Sequence, residues 1–220
     1  VLIIAGSDSG GGAGIQADIK ACEAFGVFSS TGICAITAQN TLGVQGASVV
    51  QADMIRSQIR SVLDDYTDLL IVKTGMLADK ATVDAVSDEL QSYGATRAFQ
   101  LVVDPVFMAT SGDVLVDQQA LEAIKTKLLK KCLICTPNRD EAAHLLGVSS
   151  AHVYGDDDDV EDSRQIDANA DQFLHCFGCH SVLFKGGHDE RRPHRVVDTL
   201  YIRLDDNDIS QELEALNKSL

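Results

Sequence analysis

Short apolar runs recur along this chain, and segments with a different hydrophobic period separate them. Six of the runs lack any alternation of apolar and polar residues, which is typical of strands that are buried on both faces. These runs occupy residues 1–5, 32–37, 69–72, 101–103, 133–135 and 182–184, and a further strand is predicted at residues 196–202. The pattern therefore predicts a sheet with a buried centre.

Between the predicted strands, apolar residues recur every three or four positions, which is the spacing of one face of a helix. Strands that alternate with helices favour a mainly parallel sheet with right-handed crossovers and helices on both faces. The predicted fold class is therefore α/β. The three helical stripes are Ile15, Ile19, Cys22 and Phe25; Ile55, Ile59, Val62 and Leu63; and Val83, Val86 and Leu90.

The size and charge of the chain favour small-molecule partners. Its 220 residues are 45% hydrophobic, enough for the core of one globular domain. With 33 acidic and 18 basic residues, the formal net charge is −15. That is the wrong sign for a protein held to nucleic acid or to an anionic membrane by its overall field. No apolar run approaches the roughly 20 residues of a membrane span, so we expect neither nucleic acid nor a membrane as a partner.

Cysteine usage indicates a reducing compartment. The six cysteines lie mostly in apolar segments, as small core residues do. We expect a soluble, intracellular protein, cytoplasmic by default, with organellar targeting left open because nothing ahead of Val1 is seen. Residues 175–180 contain the Cys-x-x-Cys-His pattern of haem attachment, and their Cys and His residues are also possible zinc ligands. Since a helix is predicted to run into a strand here, we interpret this segment as a helix end with partly buried thiols.

A glycine-rich turn joins the first strand to the first helix. Four of its five positions are glycine, at Gly10, Gly11, Gly12 and Gly14. Glycine reaches positive φ and lets a ligand approach without hindrance from a Cβ atom. We interpret the turn as a binding loop; the alternative is a plain flexible connection, because a short glycine pattern alone is weak support.

Polar residues, glycine or proline come directly after each of the six strands. The carboxyl ends of parallel strands meet at one edge of a sheet, where the ligands of open α/β folds bind. The sequence therefore predicts a single site built from six segments. They are Gly6 and Asp8, Gln39 and Asn40, residues 73–76, Asp104 and Pro105, Pro137 and Asn138, and residues 185–188.

The residue types in this set suit phosphate chemistry. Asn138 and Glu141 can orient a hydrated Mg²⁺ ion, while Lys185 and exposed backbone amides can neutralise phosphate oxygens. Simpler interpretations remain open for two of them. Asn138 can be a helix N-cap after Pro137, and Lys185 can be a strand-end lysine that reaches solvent.

Six segments give the chain a specific family resemblance. They read AGSDSGGGAGIQAD at 5–18, ITAQNTLGV at 36–44, VKTGML at 72–77, VDPVFMATSG at 103–112, TPNRDE at 136–141 and FKGGH at 184–188. With these motifs the chain resembles the hydroxymethylpyrimidine (phosphate) kinases of thiamine biosynthesis, members of the ribokinase-like superfamily, from residue 1 to about 201. The resemblance implies a three-layer sandwich with a mainly parallel central sheet, formed as a single kinase domain over residues 1–220.

The resemblance also implies an activity and a substrate pocket. The reaction would be ATP-dependent phosphorylation of 4-amino-5-hydroxymethyl-2-methylpyrimidine, and then of its monophosphate, by in-line transfer. Asp18 and Gln39 would read the pyrimidine by hydrogen bonds. The pocket around the ring would be lined by Gly6, Thr37, Met76 and Val106.

For the nucleotide, the resemblance implies ATP and Mg²⁺ as cofactors. Asp104, Asn138 and Glu141 would organise the metal and the triphosphate, with Asp104 and Glu141 holding Mg²⁺ through water. Lys185 would contact the nucleotide phosphates. Such a kinase would be a homodimer built away from the nucleotide edge, and it can also be one module of a longer polypeptide with a second thiamine-pathway activity.

One family segment has no counterpart in this sequence. It is a late Gly-Thr-Gly-Cys stretch that opens a helix, forms the anion hole and bears the residue that deprotonates the acceptor, so no catalytic base is assigned. Either this part of the protein lies beyond Leu220, which we expect, or the protein is a truncated relative that binds pyrimidine without catalysis. Pyridoxal kinase is a further alternative, although Gln39 favours the aminopyrimidine.

Overall fold

The computed structural model describes residues 1–107, 116–149, 160–187 and 196–204. Within them, one sheet of eight strands forms the centre of the fold. The strands are β1 (Leu2–Asp8), β2 (Ser30–Asn40), β3 (Gly43–Val49), β4 (Ile71–Thr74), β5 (Gln100–Val103), β6 (Ile134–Cys135), β7 (Ser181–Phe184) and β8 (Thr199–Ile202).

The strand order is β3-β2-β1-β4-β5-β6-β7-β8. The six central strands are parallel, and the two edge strands, β3 and β8, run antiparallel to their neighbours. This confirms the predicted α/β class and all six apolar strands. The extra strand is confirmed as β8, although it begins three residues later than predicted.

The structure adds β3, which the hydrophobic pattern did not predict. Five of its seven residues are exposed, and the other two are half-buried. A strand with so little buried surface carries no apolar run for a sequence pattern to reveal. It pairs with β2 as far as Asn40, and therefore extends β2 beyond the predicted end at residue 37.

Helices connect the strands and cover both faces of the sheet. They are α1 (Gly14–Ala24), α2 (Ala52–Asp65), α3 (Lys80–Gly94), α4 (Gln118–Ala123), α5 (Arg139–Leu146) and α6 (Val160–Phe177). A π-helical turn at Ile124–Leu128 and a 3₁₀ turn at Leu129–Lys131 continue α4. None of the helices in the described ranges is long and apolar enough to cross a membrane.

The two faces of the sheet carry separate hydrophobic cores. On one face, Ile15 of α1 packs against Ile3 and Ala5 of β1. On the other face, a larger core joins residues of α2 to α6 to the alternate residues of the strands, such as Leu2 and Val72. Right-handed crossovers explain the division, because the chain leaves β1 towards β2 in one direction and towards β4 to β7 in the other.

The stripe predicted for α1 is wrong in two of its four members, while Cys22 is half-buried and packs against the core beside Ile15. Only Ile15 is buried, with 5% of its surface exposed, whereas Ile19 is 38% and Phe25 is 86% exposed. Phe25 also lies just past the helix, at its C-terminal cap. Helical spacing predicts the helix itself correctly, but it cannot show that α1 meets only a narrow strip of β1.

The cysteine-rich segment lies where the sequence places it, at the end of α6 and before β7. Cys176 is exposed and Cys179 is buried, as are Cys34, Cys132 and Cys135. All six cysteines are free thiols. Among the described residues, no three His, Cys, Asp or Glu side chains are grouped as metal ligands would be.

Candidate active site

A cavity of about 310 Å³ opens at the carboxyl ends of the parallel strands. It lies over β1 and β4, where the strand order changes direction, which is where open α/β sheets bind their ligands. All ten residues proposed for the substrate and the nucleotide line it: Gly6, Asp18, Thr37, Gln39, Met76, Asp104, Val106, Asn138, Glu141 and Lys185. The predicted convergence of distant segments on one site is therefore observed, while the role of each residue stays a prediction.

Some polar residues lie inside strands rather than after them. Gln39 and Asn40 are the last residues of β2, and Lys73 belongs to β4. This corrects the expectation that they occupy loops. Because the sheet fixes their backbone, Gln39 and Lys73 line the cavity from a rigid support. His188 and residues 108–112 of the fourth motif lie outside the described residues.

The glycine-rich turn is held in place by a single buried carboxylate. Asp8, at the end of β1, accepts hydrogen bonds from the backbone amides of Gly10 (2.7 Å), Gly12 (3.0 Å) and Ala13 (2.8 Å). The amide of Gly11 donates to the backbone oxygen of Asp8 at 3.0 Å. These four amides already have acceptors within the turn. The turn therefore borders the cavity as an ordered wall in this conformation, and does not offer a row of free amides to a phosphate.

The start of α1 approaches β1 so closely that a side chain cannot fit between them. Gly14 has a φ of +57°, and a Cβ atom built on it would lie 2.4 Å from the backbone oxygen of Gly6. A Cβ atom built on Gly6 itself would lie 2.6 Å from the end of the Met76 side chain. Glycine at these positions therefore brings α1 against the strand and leaves Met76 room at the cavity wall.

Hydrogen-bonding groups line the end of the cavity beside β2. The Thr37 hydroxyl lies 3.1 Å from the backbone oxygen of Ser7 and 3.2 Å from Gln39 Oε1, and can donate to either. When the Gln39 amide oxygen accepts from Thr37, its amino group points elsewhere and can donate to a ligand. Met76 and Val106 add apolar surface to the same cavity. A flat heteroaromatic ring with polar edges fits this mixture.

Charges of alternating sign connect this end of the cavity to the other. Lys73 Nζ lies 2.6 Å from Asp18 Oδ2 and 3.9 Å from Asp104 Oδ2. Lys185 Nζ lies 2.8 Å from Asp104 Oδ1 and 3.9 Å from Glu141 Oε2. Each lysine therefore lies between two carboxylates. The sequence places Lys73 in the predicted site, among residues 73–76, but gives it no individual role, because its two ion pairs depend on tertiary distances.

Asn138 and Glu141 form the N-terminal cap of α5. Asn138 Oδ1 accepts from the Glu141 amide at 2.8 Å, and Glu141 Oε2 accepts from the Asn138 amide at 2.7 Å. This reciprocal capping box confirms the helix-cap interpretation of Asn138. It does not compete with a role at the cavity, because both side chains also line it.

Burial and neighbouring charges shift the pKa values of Glu141 and Lys185, at the end of the cavity away from β2. Burial raises the pKa of Glu141 to about 7, although Lys185 works in the opposite direction. For Lys185, burial disfavours the charged form, but Asp104 and Glu141 outweigh it and raise the pKa of the ammonium. Lys185 is thus a half-buried, charged partner of Asp104, and not a strand-end lysine that only reaches solvent.

The model of the phosphomethylpyrimidine kinase family matches residues 8–218 of the chain. The chain belongs to this family. Among curated relatives, it is 44% identical to the hydroxymethylpyrimidine/phosphomethylpyrimidine kinase of Rhizobium meliloti over 85% of its own length and 65% of the relative's. It is 46% identical to a probable thiamine biosynthetic bifunctional enzyme, chloroplastic, of rice, over 85% of its own length and 32% of that protein's. The chain thus spans less than two thirds of each of these relatives.

Solved structures agree with the assignment. The phosphomethylpyrimidine kinase of Clostridium difficile is 34% identical, with a TM-score of 0.77 over 93% of this chain and 80% of that one. The pyridoxal kinase of Staphylococcus aureus, solved with AMP-PCP, is 27% identical, with a TM-score of 0.70 over 91% of this chain and 67% of that one. The ribokinase-like fold is therefore confirmed, and pyridoxal kinase is a more distant relative.

Proposed function

We propose that this protein transfers phosphate from ATP to 4-amino-5-hydroxymethyl-2-methylpyrimidine and then to the resulting monophosphate. The observation that carries the proposal is the common cavity over β1 and β4, which is lined by the residues proposed for the ring together with those proposed for the phosphates. The family to which the chain belongs, and the printed names of its relatives, support the same reaction.

At the β2 end, Gln39 and Asp18 would recognise the aminopyrimidine. The Gln39 side chain offers both a donor and an acceptor, and the Asp18 carboxylate can accept from an exocyclic amino group. Thr37 orients the Gln39 amide through its hydroxyl. Gly6, Met76 and Val106 would contact the faces of the ring, which leaves the hydroxymethyl group directed towards Asp104 and Lys185.

At the end of the cavity away from β2, Asp104, Glu141 and Lys185 fit ATP with Mg²⁺. Mg²⁺ keeps several waters and uses one or two protein carboxylates, and Asp104 and Glu141 can supply these through water. When bound, the ion would neutralise charge on the phosphates. Lys185 would lie against the nucleotide phosphates, and Asn138 would fix the direction of Glu141 through the capping box. A relative solved with AMP-PCP supports ATP as the nucleotide.

Catalysis in this site would consist mainly of positioning and charge neutralisation. Phosphoryl transfer requires the attacking oxygen, the γ-phosphorus and the leaving oxygen to be nearly in line. The rigid strand ends hold the two substrates on either side of Asp104 and so supply that alignment. No residue of the described chain is assigned as the base that deprotonates the hydroxymethyl group.

The test is a coupled ADP-release assay on the full-length protein, with the products identified by mass spectrometry. We expect the hydroxymethylpyrimidine to yield the monophosphate and then the diphosphate. Gln39→Leu keeps the size of the side chain but removes both hydrogen-bonding groups, and should lower kcat/KM for the pyrimidine by about tenfold to a hundredfold. Gln91→Leu, on the exposed surface of α3, is the matched control and should leave it unchanged.

Pyridoxal kinase is the second candidate, because several of the similar solved structures are pyridoxal kinases at 26–27% identity. Pyridoxal also presents a hydroxymethyl group on a nitrogen ring. The same assay with pyridoxal separates the two, and a higher kcat/KM for pyridoxal would overturn our choice. Calorimetric binding of the pyrimidine with no phosphorylated product over hours would instead indicate a catalytically impaired pyrimidine-binding relative.

We also propose that residues 1–220 belong to one kinase domain and that the protein is a homodimer. Exposed apolar side chains at the amino ends of the strands support a contact away from the cavity: Phe25 (86%), Phe28 (69%) and Leu70 (70%). Sedimentation at equilibrium tests the dimer. The intact mass of the natural protein tests whether the domain is joined to a second module, as it is in a bifunctional relative from Geobacter sulfurreducens.

A further inference from the structure

Lys73 occupies the middle of the cavity, between its two ends. It enters from β4, where it is flanked in the sheet by Ile3 of β1 and Val102 of β5. Its ammonium pairs closely with Asp18 at 2.6 Å and lies 3.9 Å from Asp104. The lysine side chain is 22% exposed, so the charge is neither fully buried nor free in solvent. It lies between Asp18, which we propose for the pyrimidine, and Asp104, which we propose for the nucleotide.

The Lys73 side chain borders open space, because Lys73 and Gly75 both line the cavity. A Cβ atom at position 75 would crowd the Ala5 Cβ atom, at 3.0 Å, and would only touch Lys73 Nζ, at 3.6 Å. An ammonium has three N–H donors, and the close contact with Asp18 uses one of them.

Negative charges outnumber positive charges in the cavity lining, so a phosphate bound at the pyrimidine end requires a cation beside it. The described lining contains four carboxylates, of Asp8, Asp18, Asp104 and Glu141, and two ammonium groups, of Lys73 and Lys185. Lys185 lies at the nucleotide end, beside Asp104 and Glu141. A pyrimidine monophosphate would bring a further dianion into this acidic site. Lys73 is then the cation within reach of the acceptor.

We propose that Lys73 binds the phosphate of the pyrimidine monophosphate and so makes the second phosphorylation possible. The inference rests on the proposed function and extends it to the choice between the two acceptors. Lys73 keeps Asp18 with one N–H group and donates another to the incoming phosphate. With the alcohol as acceptor there is no such phosphate, and Lys73 only supports Asp18.

The two transfers differ in what the acceptor brings. In the first, the hydroxymethyl oxygen forms a bond to the γ-phosphorus and loses its proton, while the bond from that phosphorus to ADP breaks. In the second, a non-bridging oxygen of the monophosphate dianion forms the bond to the γ-phosphorus while the bond from that phosphorus to ADP again breaks and ADP leaves, so no proton has to be removed. Charge repulsion is the added obstacle there, and a charge-assisted hydrogen bond from Lys73 relieves it.

The experiment compares the two steps in Lys73→Met, which keeps the length of the side chain and removes its charge. In the full-length protein, kcat/KM for the monophosphate should fall about tenfold to a hundredfold more than kcat/KM for the alcohol, and the monophosphate should accumulate. Lys73→Arg should retain the wild-type ratio of the two steps. Lys80→Met removes an ion-paired lysine outside the cavity and should retain it as well.

Binding provides a readout that does not depend on turnover. Calorimetry without nucleotide should show that Lys73→Met lowers the monophosphate affinity about tenfold to a hundredfold more than the alcohol affinity, because loss of the support for Asp18 affects both acceptors equally. If Lys73→Met does not fold, as judged by circular dichroism, Lys73→Gln takes its place. Equal losses for both acceptors, or no loss, would overturn the inference while the proposed function stands. A wild-type protein that converts neither acceptor would overturn the proposed function itself.

Discussion

At the scale of single residues, Glu141 links folding, protonation and ligand binding. Its carboxyl group closes the capping box of α5 and also faces the cavity beside Lys185. Burial raises its pKa from the ordinary 4.5 to about 7. Because the folded protein holds this proton more tightly than the unfolded chain does, the group stabilises the fold fully below pH 4.5, and that contribution is lost as the pH rises through about 7.

A bound magnesium–nucleotide complex should favour the ionised form of Glu141. We therefore expect ATP with Mg²⁺ to bind more weakly one pH unit below the pKa of Glu141 than one unit above it, and to release a proton on binding at the lower pH. Calorimetry in two buffers with different ionisation enthalpies measures that proton. Glu141→Gln should abolish the release, whereas Asp140→Asn, at an exposed neighbouring position, should retain it. Equal release by wild type and Glu141→Gln would contradict the assignment.

At the scale of elements, the contact between β1 and α1 sets the geometry of the pocket that we propose for the pyrimidine. Asp8 anchors the turn, and Gly14 lets the first turn of α1 rest against the backbone of Gly6. The position of Asp18, one helical turn further along α1, follows from that contact. The glycine-rich turn therefore positions α1 and also forms part of the cavity wall.

Gly14→Ala tests this contact. The new Cβ atom would overlap the Gly6 oxygen in addition to suffering an unfavourable φ, so we expect a loss of several kcal/mol in the free energy of unfolding. Gly26→Ala is the matched control, because Gly26 has a φ of +68° but open space around it. It should cost only about 1–2 kcal/mol. Chemical denaturation measures both, and similar losses for the two variants would show that the close approach does not matter.

The order of elements could be predicted from the sequence because buried strands and helical stripes leave strong hydrophobic signals. Edge strand β3 could not, since most of its surface is exposed. The rule that parallel strands present their carboxyl ends at one edge predicted the place of the site and residues such as Gln39, Asp104 and Asn138, whereas Asp18, Thr37 and Val106 were given only by the family resemblance. Lys73 was placed in the site without a role of its own, because ion pairing between α1, β4 and β5 depends on tertiary distances. The exposure of Ile19 and Phe25 could not be predicted either, because it depends on how α1 packs and not on the spacing of its apolar residues.

At the scale of the whole molecule, function follows from a reversal in the direction of the sheet. The chain builds β2 and β3 on one side of β1 and all later strands on the other. Gln39, which we propose for the pyrimidine, is thus contributed from one side of β1, and Asn138 and Lys185 are contributed from the other. The central claim is that this single cavity holds the acceptor and the nucleotide side by side.

A crystal structure of the full-length protein with hydroxymethylpyrimidine and a non-hydrolysable ATP analogue tests this claim most directly. We predict the ring against Gln39 and Met76, the triphosphate against Asn138 and Lys185, and the hydroxymethyl oxygen facing the γ-phosphorus between them. Binding of either ligand outside the cavity over β1 and β4, or a hydroxymethyl group directed away from the triphosphate, would contradict it.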